Sequence, residues 1–264
     1  MKTNHVRAKL KQAEPSVGTW LTLPDPTAAL LMAQVGFDWL TVELEHTPVT
    51  FETAAQSFAI IAASGTVPLA RVPWNHGENI KRVLDTGAWG IVVPMVNSRA
   101  EAEAAIAAAR YAPLGTRSIG GQLHAVNFQT DPATYYARAN EVILVVLMAE
   151  HIKAIEAADE ILSLPGIDVV FIGPNDLHHS MGKPPAFDSE HKEYVDAVQH
   201  ILKTARKYGV APGIHVVDAA AAQRRIEEGF QFIAVASEAG LMVSKAQEVA
   251  RTLGLKARQA GAKY

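Results

Sequence analysis

Residues 38–71, DWLTVELEHTPVTFETAAQSFAIIAASGTVPLAR, join a short apolar run (38–43), a stretch of helical period that closes on Gly65, and a second short run (67–71). Strand, helix and strand in that order make a βαβ unit of a parallel sheet. Glycine is the usual residue just past a helix C-terminus. The unit recurs along the chain. Further β-branched or aromatic runs stand at 17–23, 90–94, 142–148, 168–172, 210–214 and 232–236, and stretches such as PTAALLMAQVG, GENIKRVLDTG, SRAEAEAAIAAARYA and DAAAAQRRIEEG lie among them. Eight strands, each followed by helical sequence, in 264 residues predict an α/β fold, a TIM (β/α)8 barrel. The expected organisation is a single domain, with the barrel over about 16–237 and a C-terminal helix over about 238–257. The rival, an open doubly wound sheet, advertises a nucleotide by a glycine fingerprint after its first strand, and WLTLPDPTAALLM carries none.

Composition narrows the function. With 49% hydrophobic and 19% charged residues the chain can bury a large core. A net charge of -3 with scattered lysines and arginines argues against a nucleic-acid partner. The absence of cysteine excludes disulfides, thiolate catalysis and cysteine-type zinc sites, and suits a reducing cytoplasm. The first residues, MKTNHVRAKLKQAEPSVG, lack the apolar core of a signal peptide, and no run is long and apolar enough to span a bilayer. A cytoplasmic protein without a membrane partner is expected.

A barrel's chemistry collects where its strands end. The polar residues at those ends are Glu43, Glu45 and His46 after strand two, Arg71 at strand three, Glu150 after strand five and Asp176 after strand six. Glu150 and Asp176 belong to neighbouring strands and can aim at one point, where two carboxylates repel unless a positive group sits between them. Oxygen ligands without cysteine suit a hard divalent ion, Mg2+ or Mn2+. Read singly, Glu150 caps the next helix and Asp176 opens its loop. Glu43 and His46, three residues apart in a turn, can form a base assembly in which the carboxylate fixes the imidazole tautomer. An isolated ExEH also describes a surface histidine beside solvated acids. Arg71 can hold a carboxylate or an oxyanion, or pair between strands with Glu43 or Glu45.

Two connections exceed the usual length, 111–140 and 173–191, and such segments in a barrel shape a pocket more often than a core. They carry Gln122 and His124, then His178 and His179; His215 ends strand seven, facing pocket or core. No lysine lies in a predicted strand, which disfavours Schiff-base chemistry, and neither a GxSxG elbow nor a P-loop occurs.

Four separated stretches, GTWLTLPDPTAALLMAQVGFDWLTVELEHTP, LARVPWN, DTGAWGIVVPMVNSRAEAEAAIAAARYAPLGTRSIGG and GIDVVFIGPNDLHHSMG, resemble the HpcH/HpaI aldolase family, and the similarity runs from about residue 16 to about 245. The resemblance implies a class II, metal-dependent pyruvate aldolase on a TIM barrel. Such enzymes cleave or form 4-hydroxy-2-oxo acids, among them 4-hydroxy-2-oxoheptanedioate and 2-dehydro-3-deoxy sugar acids, through a metal-bound pyruvate enolate. It places the metal acids at Glu150 and Asp176, with Mg2+, Mn2+ or Co2+ as the ion, the catalytic histidine at His46 and the substrate arginine at Arg71. Backbone amides around Gly173, Pro174, Asn175 and Asp176 would receive the pyruvate carboxylate. It also implies a homohexamer, a trimer of dimers that exchange a C-terminal helix.

Two positions depart from the family pattern. Glu43 stands for the usual aspartate beside the histidine, and Met148 for a glutamine two residues before the metal glutamate. Methionine donates no hydrogen bond. Either Gln122 or His124 replaces that donor or the reaction has drifted, so oxaloacetate decarboxylation, a CoA-thioester lyase and a non-catalytic oxo-acid-binding barrel remain as alternatives.

Overall fold

A computed structural model describes residues 1–255. Its strands are β1 (Ser16–Leu21), β2 (Trp39–Glu43), β3 (Val67–Arg71), β4 (Gly90–Val93), β5 (Leu144–Ala149), β6 (Val169–Ile172), β7 (Ala211–Val216) and β8 (Phe232–Ser237). Each pairs in parallel with the next, and β8 returns to β1 through Val17 opposite Ile233, closing the barrel. Strand ends depart from the expected ones by no more than two residues. Nearly every strand residue is buried, because helices cover the outside and side chains fill the inside.

The helices are α1 (His5–Lys11), α2 (Pro26–Met32), α3 (Phe51–Ala63), α4 (Gly77–Asp85), α5 (Arg99–Ala109), α6 (Leu123–Asn127), α7 (Pro132–Val142), α8 (Ile152–Glu156), α9 (Ala158–Leu162), α10 (Pro174–Ser180), α11 (Lys192–Tyr208), α12 (Ala219–Glu228) and α13 (Glu238–Thr252). None is long and apolar enough to cross a membrane. Two regions differ from the sequence reading. The polar lead holds α1, capped by Asn4 and tied to the strand-start end by Arg7 to Asp168 and Lys9 to Asp38, both at 2.7 Å. Within 111–140, α6 is a single turn, while α7 buries Tyr135, Ala139 and Val142 at helical spacing. Beyond Glu238, α13 leaves Leu241, Met242, Val243 and Val249 exposed, and residues 256 and 257 of the expected C-terminal helix lie outside the described residues.

Inside the barrel, Trp39 stacks on Phe232 with ring centroids 4.1 Å apart, and Phe171 meets Phe232 and Trp20 edge-on, each at 5.9 Å. Gly18 makes room for this layer. A Cβ there would stand 2.1 Å from Trp39 Cδ2 and 2.4 Å from the Trp39 carbonyl oxygen, and the backbone oxygen cannot swing away. Gly18→Ala should therefore lower unfolding free energy by more than about 2 kcal/mol, read as a shifted urea midpoint at unchanged slope. An unshifted midpoint would show that the strands part without cost.

Candidate active site

At the end of β2 the chain must turn, and Glu43 folds the turn. Its Oε1 accepts from the amides of Glu45 (2.6 Å) and His46 (3.1 Å), while Thr47 Oγ1 donates to the Glu43 carbonyl (2.6 Å). Glu43 lies opposite Arg71 in the β2–β3 register, and Arg71 Nε donates to Glu43 Oε2 at 2.5 Å. Arg71 Nη1 lies 3.2 Å from Glu45 Oε2. The inter-strand ion pairs considered from the sequence both exist.

Arg71 is held from four sides. Its guanidinium also lies over the Trp20 ring at 4.9 Å and reaches Met148 Sδ at 4.0 Å. Burial works against its charge, but Glu43 and then Glu45 outweigh that cost and raise its pKa above the ordinary arginine value.

Glu150 follows β5 and is 2% exposed. Met95, in the left-handed region at φ 54, donates its amide to Glu150 Oε1 at 2.8 Å. Glu150 Oε2 faces Gly173, where a Cβ would stand 2.5 Å from that oxygen and 3.2 Å from Met148 Cε, so only glycine leaves the space. Burial drives the Glu150 carboxyl up to about 7, against the pull of Arg71 and the Met95 amide; Asp176 and Glu45 add to the rise. Glu45 is also raised, first by burial, against Arg71 and His46. Glu43, Glu45 and Glu150 thus crowd one cation, Arg71.

Asp176 lies in the first turn of α10. Pro174, at the first position of that helix, has no N–H, so only the amides of Gly173, Asn175 and Asp176 can donate at this end. That corrects the expectation for Pro174, which fixes the helix start and accepts from His178 Nδ1 at 2.7 Å.

Several expected residues do not join this rim. Gln122 and His124 stand at the opposite end of the barrel, because the segment after α5 has already run back to where strands begin. There Asn127 Nδ2 donates to the Gly87 carbonyl, just before β4. His124 is fully buried 4.2 Å from the Tyr135 ring, so neither residue supplies the donor that Met148 lacks within this chain. His178 is buried against Tyr194, with ring centroids 4.0 Å apart. The imidazole of His46 is 67% exposed and its nearest carboxylate is Glu45, at 3.6 Å from Nε2, rather than Glu43. Sequence reasoning missed Trp20 and Met95. Trp20 had a signal, an aromatic near the end of strand one, whereas Met95 acts through its backbone and had none.

His215 Nε2 donates to the Ala236 carbonyl oxygen (3.2 Å), and the ring packs between Phe187 and Trp20, at 4.9 and 5.8 Å. Burial first, with Arg71 adding, pushes its pKa down to about 4, while the Ala236 bond opposes. Between that value and the ordinary histidine range the unfolded chain binds the extra proton. The His215 contribution to stability is therefore complete above about pH 6.5 and is lost as pH drops toward 4. Glu150 acts in the opposite direction over this range, so the test is the difference: the urea midpoint of His215→Asn should rise relative to that of the unsubstituted chain as pH drops from 7 to 4.5, and a constant difference would contradict a neutral His215.

Residues 16–245 match the family model described as HpcH/HpaI aldolase/citrate lyase. The chain belongs to that family. As an HpcH/HpaI member it is 34% identical over 246 residues to the hydroxypyruvate/pyruvate aldolase of Rhizorhabdus wittichii, covering 93% of this chain and 97% of that protein. It is 35% identical over 254 residues to the 4-hydroxy-2-oxo-heptane-1,7-dioate aldolase of Shigella sonnei, 96% of each. The crystal structure of an HpcH/HpaI aldolase/citrate lyase family protein from Burkholderia cenocepacia superimposes with a TM-score of 0.88 at 28% identity, over 96% of this chain and all of that one.

The residues of this HpcH/HpaI barrel fit a divalent cation. Among the described residues no three histidine, aspartate or glutamate side chains gather as a ready-made cage. Glu150 and Asp176 are nonetheless hard oxygen donors, the Asp176 charge adds to the rise of the Glu150 pKa, and among the described residues no protein group donates to Glu150 Oε2. A cation with two protein ligands keeps positions for water and substrate.

Proposed function

We propose that this enzyme of the aldolase lyase type cleaves a 4-hydroxy-2-oxo acid to pyruvate and an aldehyde with a divalent cation, Mg2+, Mn2+ or Co2+, held by Glu150 and Asp176. The observation that carries this reading is Glu150: a buried carboxyl with one oxygen fixed by Met95 and the other turned to an open glycine, between Asp176 and Arg71. When bound, such a cation withdraws electrons from the 2-oxo group and offsets charge that develops there. The amides of Asn175 and Asp176 donate to the substrate carboxylate, and Arg71 directs its guanidinium at the 2-oxo oxygen. His46 removes the proton from the C4 hydroxyl. The electron pair of the C3–C4 bond goes to C3 as the C4 carbonyl forms, so the aldehyde leaves and pyruvate enolate remains. A proton delivered to C3 completes pyruvate, and the reverse sequence is aldol addition.

The test is pyruvate release from 4-hydroxy-2-oxo acids of graded chain length, using protein stripped with EDTA and resupplied with each ion. Release should vanish on stripping and return with metal. Undiminished release after stripping would remove the cation from the reaction. Pyruvate that binds without release under any ion would leave an oxo-acid-binding barrel.

The exposed apolar side chains of α13 support a homo-oligomer, with a hexamer, a trimer of dimers, as the proposed form. Sedimentation of the full chain reads this directly. The cysteine-free composition suits the proposed cytoplasmic location.

A further inference from the structure

Both oxygens of Glu43 are already engaged by other donors. Oε1 already accepts from the amides of Glu45 and His46, and Oε2 from Arg71 Nε. The carboxylate is 2% exposed, inside the turn it folds, while the His46 ring projects outward with its side chain 67% exposed. Turning Glu43 toward that ring would release two backbone amides and an arginine together.

Glu45 is placed differently. Its carboxylate is largely covered, and Oε2 is buried with no hydrogen-bond donor aligned on it. Arg71 Nη1 lies 3.2 Å from this oxygen but outside hydrogen-bond alignment, and His46 Nε2 lies 3.6 Å away. A buried acceptor without a donor is costly, so the group that reaches it gains. The backbone on either side is pinned by Glu43 and Thr47, which leaves the His46 side chain as the part free to close the gap.

We infer that Glu45, not Glu43, positions His46: Glu45 Oε2 accepts the imidazole Nε2–H, and Nδ1 is thereby left as the nitrogen that takes the substrate hydroxyl proton. The inference rests on the reading of His46 as the base. The hydroxyl proton moves to Nδ1, the C3–C4 electron pair passes to C3, and the imidazolium so formed keeps its Nε2–H on a carboxylate. Glu43 serves instead as the scaffold that folds the turn and fixes Arg71. Glu45 touches no reacting atom and is a positioning residue.

A double-mutant cycle on the full-length, metal-loaded protein tests this, with pyruvate release as the readout and urea midpoints to check folding. Glu45→Ala should lower kcat about 30-fold with KM changed less than about threefold, and Glu45→Gln, which keeps an acceptor, should recover to within about fivefold of the starting rate. In a His46→Ala background Glu45→Ala should cost no more than about twofold, because the group through which it acts is gone. In an Arg71→Lys background the 30-fold effect should persist. Should Glu45→Ala fail to fold, Glu45→Gln is carried through the same two backgrounds, where its loss must vanish with His46 and survive Arg71→Lys. A Glu45 effect kept whole without His46, or lost with Arg71→Lys, would overturn the inference and assign Glu45 to the guanidinium. A rate unchanged by His46→Ala alone would overturn the base itself, a separate result that the single substitution reports.

Discussion

Glu150→Gln should lower kcat for pyruvate release by about a thousandfold or more while leaving the metal-free protein at least as stable as before. The two effects have one cause. The Glu150 carboxyl is buried and pushed up to about 7, so its charge costs folding energy that a neutral amide of the same shape does not. The glutamine oxygen can still accept from the Met95 amide, so the turn before α5 should survive. What disappears is the anionic oxygen turned toward Gly173. Thermal denaturation with and without EDTA separates the outcomes: metal should raise the melting temperature of the unsubstituted chain and leave the variant unmoved. A linked pH effect follows. Below about pH 7 a cation must displace the Glu150 proton, so apparent affinity should weaken about tenfold per pH unit there and level off above, and the variant should lose that dependence. A variant that keeps its activity, or a metal affinity flat with pH, would remove Glu150 from the metal site.

Arg71→Ala should cost both activity and fold. The guanidinium pairs with Glu43 and Glu45 and stacks over Trp20, so its removal leaves two covered carboxylates facing each other without a cation. Breaking a buried pair by removing one partner costs about 3–5 kcal/mol, and urea unfolding near neutral pH should show a loss of that order. Arg71→Lys is the sharper probe of catalysis. Lysine restores a charge but cannot span Glu43 Oε2, Glu45 Oε2 and the 2-oxo group at once, because it lacks the planar fork. Its stability should fall less than that of the alanine variant, while kcat falls by about a hundredfold. Equal activity in the lysine variant would mean that Arg71 only holds Glu43 and Glu45.

The rim was legible in the sequence because of how a closed parallel barrel buries its strands. Helices cover one face and packed side chains the other, so β-runs such as WLTV and VVLM carry no charge and are buried throughout, and the first acids after them mark the point where the chain reaches the mouth. Glu43, Glu150 and Asp176 were found that way, and Arg71 by its place at the end of VPLAR. Gln122 and His124 were misassigned although a sequence argument existed: they follow the helix SRAEAEAAIAAARYA, and in a βα unit the chain past the helix is back at the strand-start end.

Strand count, strand order, the absence of any thiol chemistry and the identity of the acids at the mouth are therefore properties of the sequence alone, since hydrophobic period and residue type are written in it. The tertiary structure alone decided the rest. Short helices such as α6 and α10 are below the length that holds itself helical in water and exist only against the barrel. The high pKa of Glu150 comes from burial, which no local pattern encodes. That Arg71 pairs with both Glu43 and Glu45, and that Glu45 rather than Glu43 stands nearest the His46 ring, depends on the directions of side chains from adjacent strands, and a three-residue spacing does not specify direction.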